Sequence, residues 1–185
     1  MSKPRPGGRS ARIKTAVFEA AEALIVSKAL SELTMVDIAQ RAGVNSTSLY
    51  RRWGDLESLL MEVAINRLMH DSPLPDTGSL RGDILTWAES IAVSLAGAKS
   101  SVFVQVFLAT AGVGGTRPAN RRSAFLPRQD EFTALLDRAR LRGEFTPQIG
   151  EVIDYIAAPL YFRMLIGAHE GKEYASTLVD RLLTR

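Results

Sequence analysis

The sequence predicts an all-α protein of about nine helices, a small N-terminal unit followed by a larger helical body. Apolar residues return every three or four positions along most of the chain, the spacing that lines one face of a helix. Nowhere does a run of β-branched residues alternate with polar ones over strand length, so a sheet has no source. Clusters of proline and glycine break the periodic pattern into separate segments. With 185 residues, 46% of them hydrophobic, the chain has ample material for a packed core.

The chain opens with a Pro/Gly-rich stretch, Lys3 to Gly8, read as a flexible basic arm over residues 1–8. Ile13, Val17, Ala20, Ala21 and Leu24 then mark the stripe of a first helix. Thr34-Met-Val-Asp37 is a helix start of the capping-box type. The threonine oxygen accepts an amide proton, and the acid three residues on favours the positive helix end. Val36, Ile38 and Ala39 supply the apolar positions of that helix. At Arg41-Ala-Gly-Val44 the glycine permits the positive φ of a sharp turn, and Ala42 and Val44 are small enough for two helices to cross closely. Asn45 caps the next helix, which runs from Ser46 to Arg52 or Trp53. Leu59, Leu60, Val63, Ala64 and Leu68 form the stripe of a longer one. No helix should cross Asp71 to Gly78, with its two prolines and glycine. The first domain is therefore placed at 9–70, a linker at 71–78 and a second domain at 79–185.

Inside the second domain, Gly112 to Pro118 looks briefly like a phosphate-cradling loop. It lacks the Gly-Lys-Ser/Thr ending and a preceding strand, so it is read as a helix connection. Thr146-Pro147 starts another helix, a cap followed by proline in the first turn. That helix is apolar on nearly all sides and must be covered on both. Ile153, Ile156, Leu160 and Met164 of this helix, with Leu178 and Leu182 of the last one, are expected to face a second copy across a two-fold axis. Pro159 removes a mid-helix hydrogen bond and should kink the rod. Trp87, Phe103, Phe107, Phe125, Tyr155 and Phe162 are candidate linings of an apolar ligand pocket, although any one of them alone suits ordinary core. Arg163, a charge within an apolar run, is read as an ion-pair partner or an anchor for an acidic ligand.

Composition narrows the function. Cysteine is absent, which removes disulfides, thiolate catalysis and cysteine-based zinc sites. With only two histidines, His70 and His169, a metal site has little to build on, and neither metal nor cofactor is expected. No constellation suggests an enzyme, since His70 lies beside the linker and His169 beside a turn. No apolar run is long enough for a membrane span, and no signal-peptide core follows the basic start, so the cytoplasm is the expected location. The net charge of +3 is unevenly spread. Residues 1–56 hold nine Lys or Arg against five Asp or Glu, or +4, and the remainder fourteen against fifteen, or −1. Lys3, Arg5, Arg9, Arg12 and Lys14 meet no acid before residue 19. A basic end on a near-neutral body suits an anionic polymer, although a solvated tail would read the same way.

The outside of the Ser46–Trp53 helix sharpens that choice. Ser46, Thr47 and Ser48 are small hydroxyl residues that let a backbone press close to a groove edge. Tyr50, Arg51 and Arg52 have the reach and donors for phosphates or base edges, and Arg is the best bidentate partner for guanine. Two compact helices joined at a glycine turn match a helix-turn-helix entering the DNA major groove. Over roughly residues 10 to 69 the sequence resembles the tetracycline-repressor (TetR) family. The matching positions are Thr34, Ile38-Ala39, Ala42-Gly43-Val44-Asn45, Thr47-Ser48, Leu49-Tyr50, Trp53 and Asp55 to Leu59. The resemblance implies that Thr34 and Tyr50 touch phosphates, that Ser46 to Ser48 lie on bases, and that the basic arm before the first helix reaches the adjoining backbone; Arg12 is a further candidate DNA contact. It departs at Leu56, where the family usually has a phosphate-contacting lysine. Thr34 and Asn45 also read simply as caps, and Val44, Leu49 and Trp53 as packing.

The expectation is thus a transcriptional regulator that binds a double-stranded DNA operator as a homodimer. A small-molecule effector releases it, as for a repressor, by shifting a two-state body. A ligand-independent structural DNA-binding dimer and an all-α enzyme are the alternatives.

Overall fold

The computed structural model describes residues 8–96, 102–110, 123–168 and 171–184. Among them the chain is helical, without strands. Among the described residues nine helices follow in order: α1 (Arg9–Ser27), α2 (Met35–Ala42), α3 (Ser46–Trp53), α4 (Leu56–Asp71), α5 (Leu80–Ala96), α6 (Val102–Thr110), α7 (Leu126–Leu141), α8 (residues 149–165) and α9 (Lys172–Leu183). A short 3₁₀ turn, Leu30–Glu32, precedes α2. Residues 1–7 of the expected arm, the Gly112–Pro118 segment and His169 lie outside the described residues.

The chain forms two compact units. One holds described residues 8–65, 102–110 and 123–124, the other 66–96, 125–168 and 171–184. The division does not fall at the proline-rich linker. It falls within α4, because Leu59, Leu60, Met61, Val63, Ala64 and Ile65 are buried in the first unit while the helix continues unbroken to Asp71. The segment after α4 is itself tied into the second unit. Arg128 donates to the Ser72 carbonyl and to Ser72 Oγ at 3.0 Å, and Arg138 to the Pro75 carbonyl at 3.1 Å. Thr77 donates from its amide and its hydroxyl to buried Asp83, at 2.6 and 2.7 Å.

In the first unit α1 packs on α2 and α2 on α3, around Val17, Ala21, Ile38, Leu49 and Leu59. Phe103 and Phe107 of α6 belong to this unit, their ring centroids 5.6 Å apart. In the second unit α5 is the central rod, with α7, α8 and α9 laid against it. Trp87 meets Phe132 edge-on at 4.8 Å. The expected pocket residues are therefore divided. Trp87 is buried and Phe125 and Tyr155 half-buried in the second unit, while Phe103 and Phe107 sit in the first.

Pro159 acts differently from the expected simple kink. Helix α8 winds as Ile149–Val152, then as a π-helical turn Ile153–Ala157, then as Ala158–Leu165 with the proline in its first turn. A proline lacks the N–H for the helical bond to the carbonyl four residues back and crowds that carbonyl. The wider turn accommodates this, with the Ala158 amide bonding five residues back to Ile153. The extra residue per turn also rotates the faces. Val152, Ile156 and Leu160 advance in fours and are buried in the unit's own core. Ile156 and Leu160 are thus not the partner-facing residues that regular periodicity suggests. Leu178 and Leu182 are buried too, because the apolar stripe of α9 packs on α5 and leaves Lys172, Glu173, Thr177, Asp180 and Arg181 outside. Of that expected set, Ile153 is exposed and Met164 half-buried. Phe162, expected in a pocket, is 62% exposed, and Leu165 and Ile166 close to it in sequence are exposed as well. Arg163 lies over the Tyr174 ring at 4.4 Å, a cation–π contact within the unit.

Candidate nucleic-acid interface

Local chemistry fixes α2 and α3. The Asp37 amide donates to Thr34 Oγ1 at 3.1 Å and the Thr34 amide to Asp37 Oδ2 at 2.9 Å, a reciprocal capping box. The Thr34 hydroxyl donates to the same carboxylate at 2.8 Å, and Lys28 Nζ stands 3.0 Å from it. These donors hold the Asp37 carboxyl below its ordinary value, the Thr34 hydroxyl most strongly, then Lys28 and the Thr34 amide. Helix α2 ends at Gly43, whose φ of +66° is the left-handed region an L side chain avoids. The Val44 amide closes the turn on the Ala39 carbonyl at 3.0 Å. Asn45 Oδ1 then accepts the Thr47 amide at 2.8 Å and starts α3.

The faces of α3 follow from a rotation of about 100° per residue. Leu49 and Trp53 share the buried side, at 0% and 9% exposure. Thr47 and Arg51, also four residues apart, fall on the opposite side and are exposed. Tyr50 flanks that face, exposed, and Ser48 flanks it half-buried. Ser46 and Arg52 lie nearer the buried side, Ser46 half-buried. The outermost strip of the helix is thus a hydroxyl and a guanidinium.

Arg51 makes no hydrogen bond or ion pair with the described residues. Arg52 is committed. Its Nη1 donates to Ser10 Oγ at 3.1 Å and lies 3.5 Å from the Ser10 carbonyl, in the first turn of α1, and its guanidinium stacks over Trp53 at 5.1 Å. The Trp53 Nε1 donates to Glu62 Oε2 at 2.5 Å, and Glu62 pairs with Lys14 at 2.6 Å, whose ammonium also stands over Phe18. Ser10, Lys14, Trp53 and Glu62 therefore bind the end of α3 to α1 and α4. Sequence reading missed this knot because Ser10 lies 42 residues from Arg52.

Arg12, Thr34, Asn45, Thr47, Tyr50, Arg51 and Arg52 are all exposed in the first unit. Thr34 and Asn45 spend their side-chain oxygens on caps. Leu56 is half-buried at the start of α4, so it offers no charge there. Asp55 Oδ1 accepts the Ser58 amide at 2.7 Å and caps that helix. Among the described residues no three His, Asp or Glu side chains gather as a metal site, and no helix is long and apolar enough to cross a membrane.

Comparison with known proteins agrees with this architecture. Residues 17–63 match the family model for bacterial regulatory proteins of the tetR family, and residues 74–182 match that for tetracyclin repressor-like C-terminal domains. The chain is 28% identical over 180 residues to YdeS of Bacillus subtilis, an uncharacterized HTH-type transcriptional regulator, covering 96% of this chain and 89% of that protein. It is 29% identical over 144 residues to the HTH-type transcriptional regulator AqdR of Rhodococcus erythropolis, covering 74% of this chain and 65% of that one. Among solved structures it is similar to a TetR transcriptional regulator from Rhodococcus sp. RHA1, with a TM-score of 0.68, 17% identity and coverage of 96% and 99%. It is also similar to the multidrug binding protein EbrR complexed with imidazole, with a TM-score of 0.59, 18% identity and coverage of 92% and 94%.

Proposed function

Because the chain belongs to the TetR family of bacterial regulatory proteins, we propose that it is a cytoplasmic repressor that binds a palindromic operator as a homodimer and leaves it when a small-molecule effector occupies the second unit. The coarser statement, a transcriptional regulator with an N-terminal helix-turn-helix, follows from the family itself. The observation that carries the DNA reading is the outer strip of α3, where Thr47 and Arg51 stand opposite buried Leu49 and Trp53. A short helix with a small hydroxyl and a guanidinium outermost fits a major groove and supplies donors for base edges.

The homodimer rests on the outward face of α8. Phe162, Leu165 and Ile166 are 62, 50 and 61% exposed, and Ile153 is 41% exposed. A large apolar face of this kind is the usual mark of a partner surface, and a two-fold pair carries two copies of α3, as a palindromic operator requires. The effector reading rests on the aromatic cluster of the second unit and on a solved relative in fold, EbrR, that is described as binding drugs. Regulation, rather than catalysis, is the role assigned. Capture of genomic duplex fragments at two salt concentrations tests the DNA reading. The parent chain should retain discrete sites at the higher salt and Arg51→Ala should lose them, whereas equal retention would refute it.

A further inference from the structure

We propose that the Trp87 indole N–H, beside the guanidinium of Arg128, forms a hydrogen-bond-donating subsite that takes the carbonyl oxygen or ring nitrogen of a neutral aromatic ligand. The proposal deepens the effector reading above and rests on it only for the consequence on DNA. Every residue it uses belongs to the second unit.

The chain has two tryptophans, and they differ in one respect. Trp53 donates its indole N–H to Glu62. Trp87 is 3% exposed, and its Nε1 finds no acceptor among the described residues. Buried indole N–H groups usually find a partner, and leaving one unmade costs stability, so a donor kept this way calls for an explanation. A ligand acceptor supplies one.

Arg128 defines what that ligand carries. It is 5% exposed, and its guanidinium lies 5.7 Å from the Trp87 ring centre and 5.5 Å from that of Phe132. Nη1 donates to Glu131 at 2.8 Å, and Nη2 to the carbonyl and hydroxyl of Ser72. Its charge is already balanced by Glu131, so the site does not demand an anion. A cationic ligand would meet the guanidinium itself. Tyr161 is felt by the same arginine. Burial pushes its phenol up, against the pull of Arg128, so at neutral pH it is a hydroxyl and not a phenolate. Two aromatic faces, an unspent N–H and a balanced guanidinium together select a flat apolar body with one neutral acceptor.

The test uses the full chain, uniformly labelled with nitrogen-15, and two probes of similar shape, acetophenone and ethylbenzene. Only the first has a carbonyl. Two tryptophans give two indole cross-peaks, assigned from the spectrum of Trp87→Phe. Acetophenone should move the Trp87 indole proton downfield in a saturable way and bind about tenfold more tightly than ethylbenzene, the worth of one good hydrogen bond. The Trp53 peak should stay still. In Trp87→Phe the two probes should bind alike. Equal binding by the parent, or no movement of the Trp87 peak, overturns the subsite. Operator binding measured with the same probes separates the two readings. Release of DNA without movement of the Trp87 peak leaves regulation standing and removes the subsite. A moved peak with unaltered DNA binding keeps the subsite and removes regulation by this ligand.

Discussion

Arg51 and Arg52 are adjacent and chemically identical, yet their surroundings assign them opposite tasks. Arg51 points away from the core of its unit, and Arg52 bonds to Ser10 and stacks on Trp53. Removing each guanidinium should therefore damage different properties. For Arg52→Ala the loss is an exposed cation–π contact, about 0.5–1 kcal/mol, and a hydrogen bond worth about 0.5–1.5 kcal/mol net. Arg52 itself is exposed, so the lower end of each range applies and the total is about 1 kcal/mol. That lowers the melting temperature of a chain this long by about 2–4 °C. For Arg51→Ala no contact within the described residues is lost, and the melting temperature should hold. Its loss instead removes a contact to DNA, about 1–3 kcal/mol per half-site if bidentate to a base, or one unit of salt slope if made to a phosphate. Thermal melts and anisotropy titrations of a recovered site at several salt concentrations measure both. An Arg52→Ala chain with unchanged melting and a reduced salt slope, beside an Arg51→Ala chain that melts early, would refute the assignment.

Three further outcomes follow from single observations. Asp37 is held below its ordinary 3.8 by the Thr34 hydroxyl and Lys28, so its contribution is present above that value and is lost as pH falls through the lower folded value. Acid titration of stability should therefore be steeper below about pH 4 for the parent than for Asp37→Asn. Gly43→Val should cost about 1–2 kcal/mol and weaken DNA binding, from backbone strain alone, because an added Cβ meets nothing within 4 Å; denaturant titration reads the cost, and Gly43→Asn should be milder. Phe162→Glu with Ile166→Glu should raise the dimer dissociation constant more than a hundredfold in sedimentation, since each apolar side chain is worth about 1.5–3 kcal/mol when buried. A dimer indifferent to that pair would move the interface elsewhere.

How much was legible depended on the reach of each interaction. The Thr34 and Asn45 caps, the Gly43 turn and the buried pair Leu49 and Trp53 were readable because they depend on neighbours within four residues. The aim of Arg52 was not, since its partner sits on α1. In α8 the difficulty was phase. A regular period puts Ile153, Ile156, Leu160 and Met164 on one side, but the π turn ahead of Pro159 adds a residue and separates exposed Ile153 from buried Ile156 and Leu160. The stripe of α9 was correctly seen as apolar, and no local signal says that α5 rather than a second copy covers it. The two compact units divide at a different place from the linker expected at 71–78, for a related reason. Prolines mark where a helix stops, whereas the units divide where buried contacts change partner, inside α4.

Because the chain has no cysteine, Thr47→Cys provides one attachment point for an iron chelate on the outer strip of α3. On a recovered operator, strand cleavage should fall in two clusters, each in a major groove and about 10–10.5 base pairs or a multiple of that apart. A chelate at Glu173→Cys, on the exposed side of α9, should leave the duplex intact. Cleavage from α9 and none from α3 would contradict the claim that this helix enters the DNA.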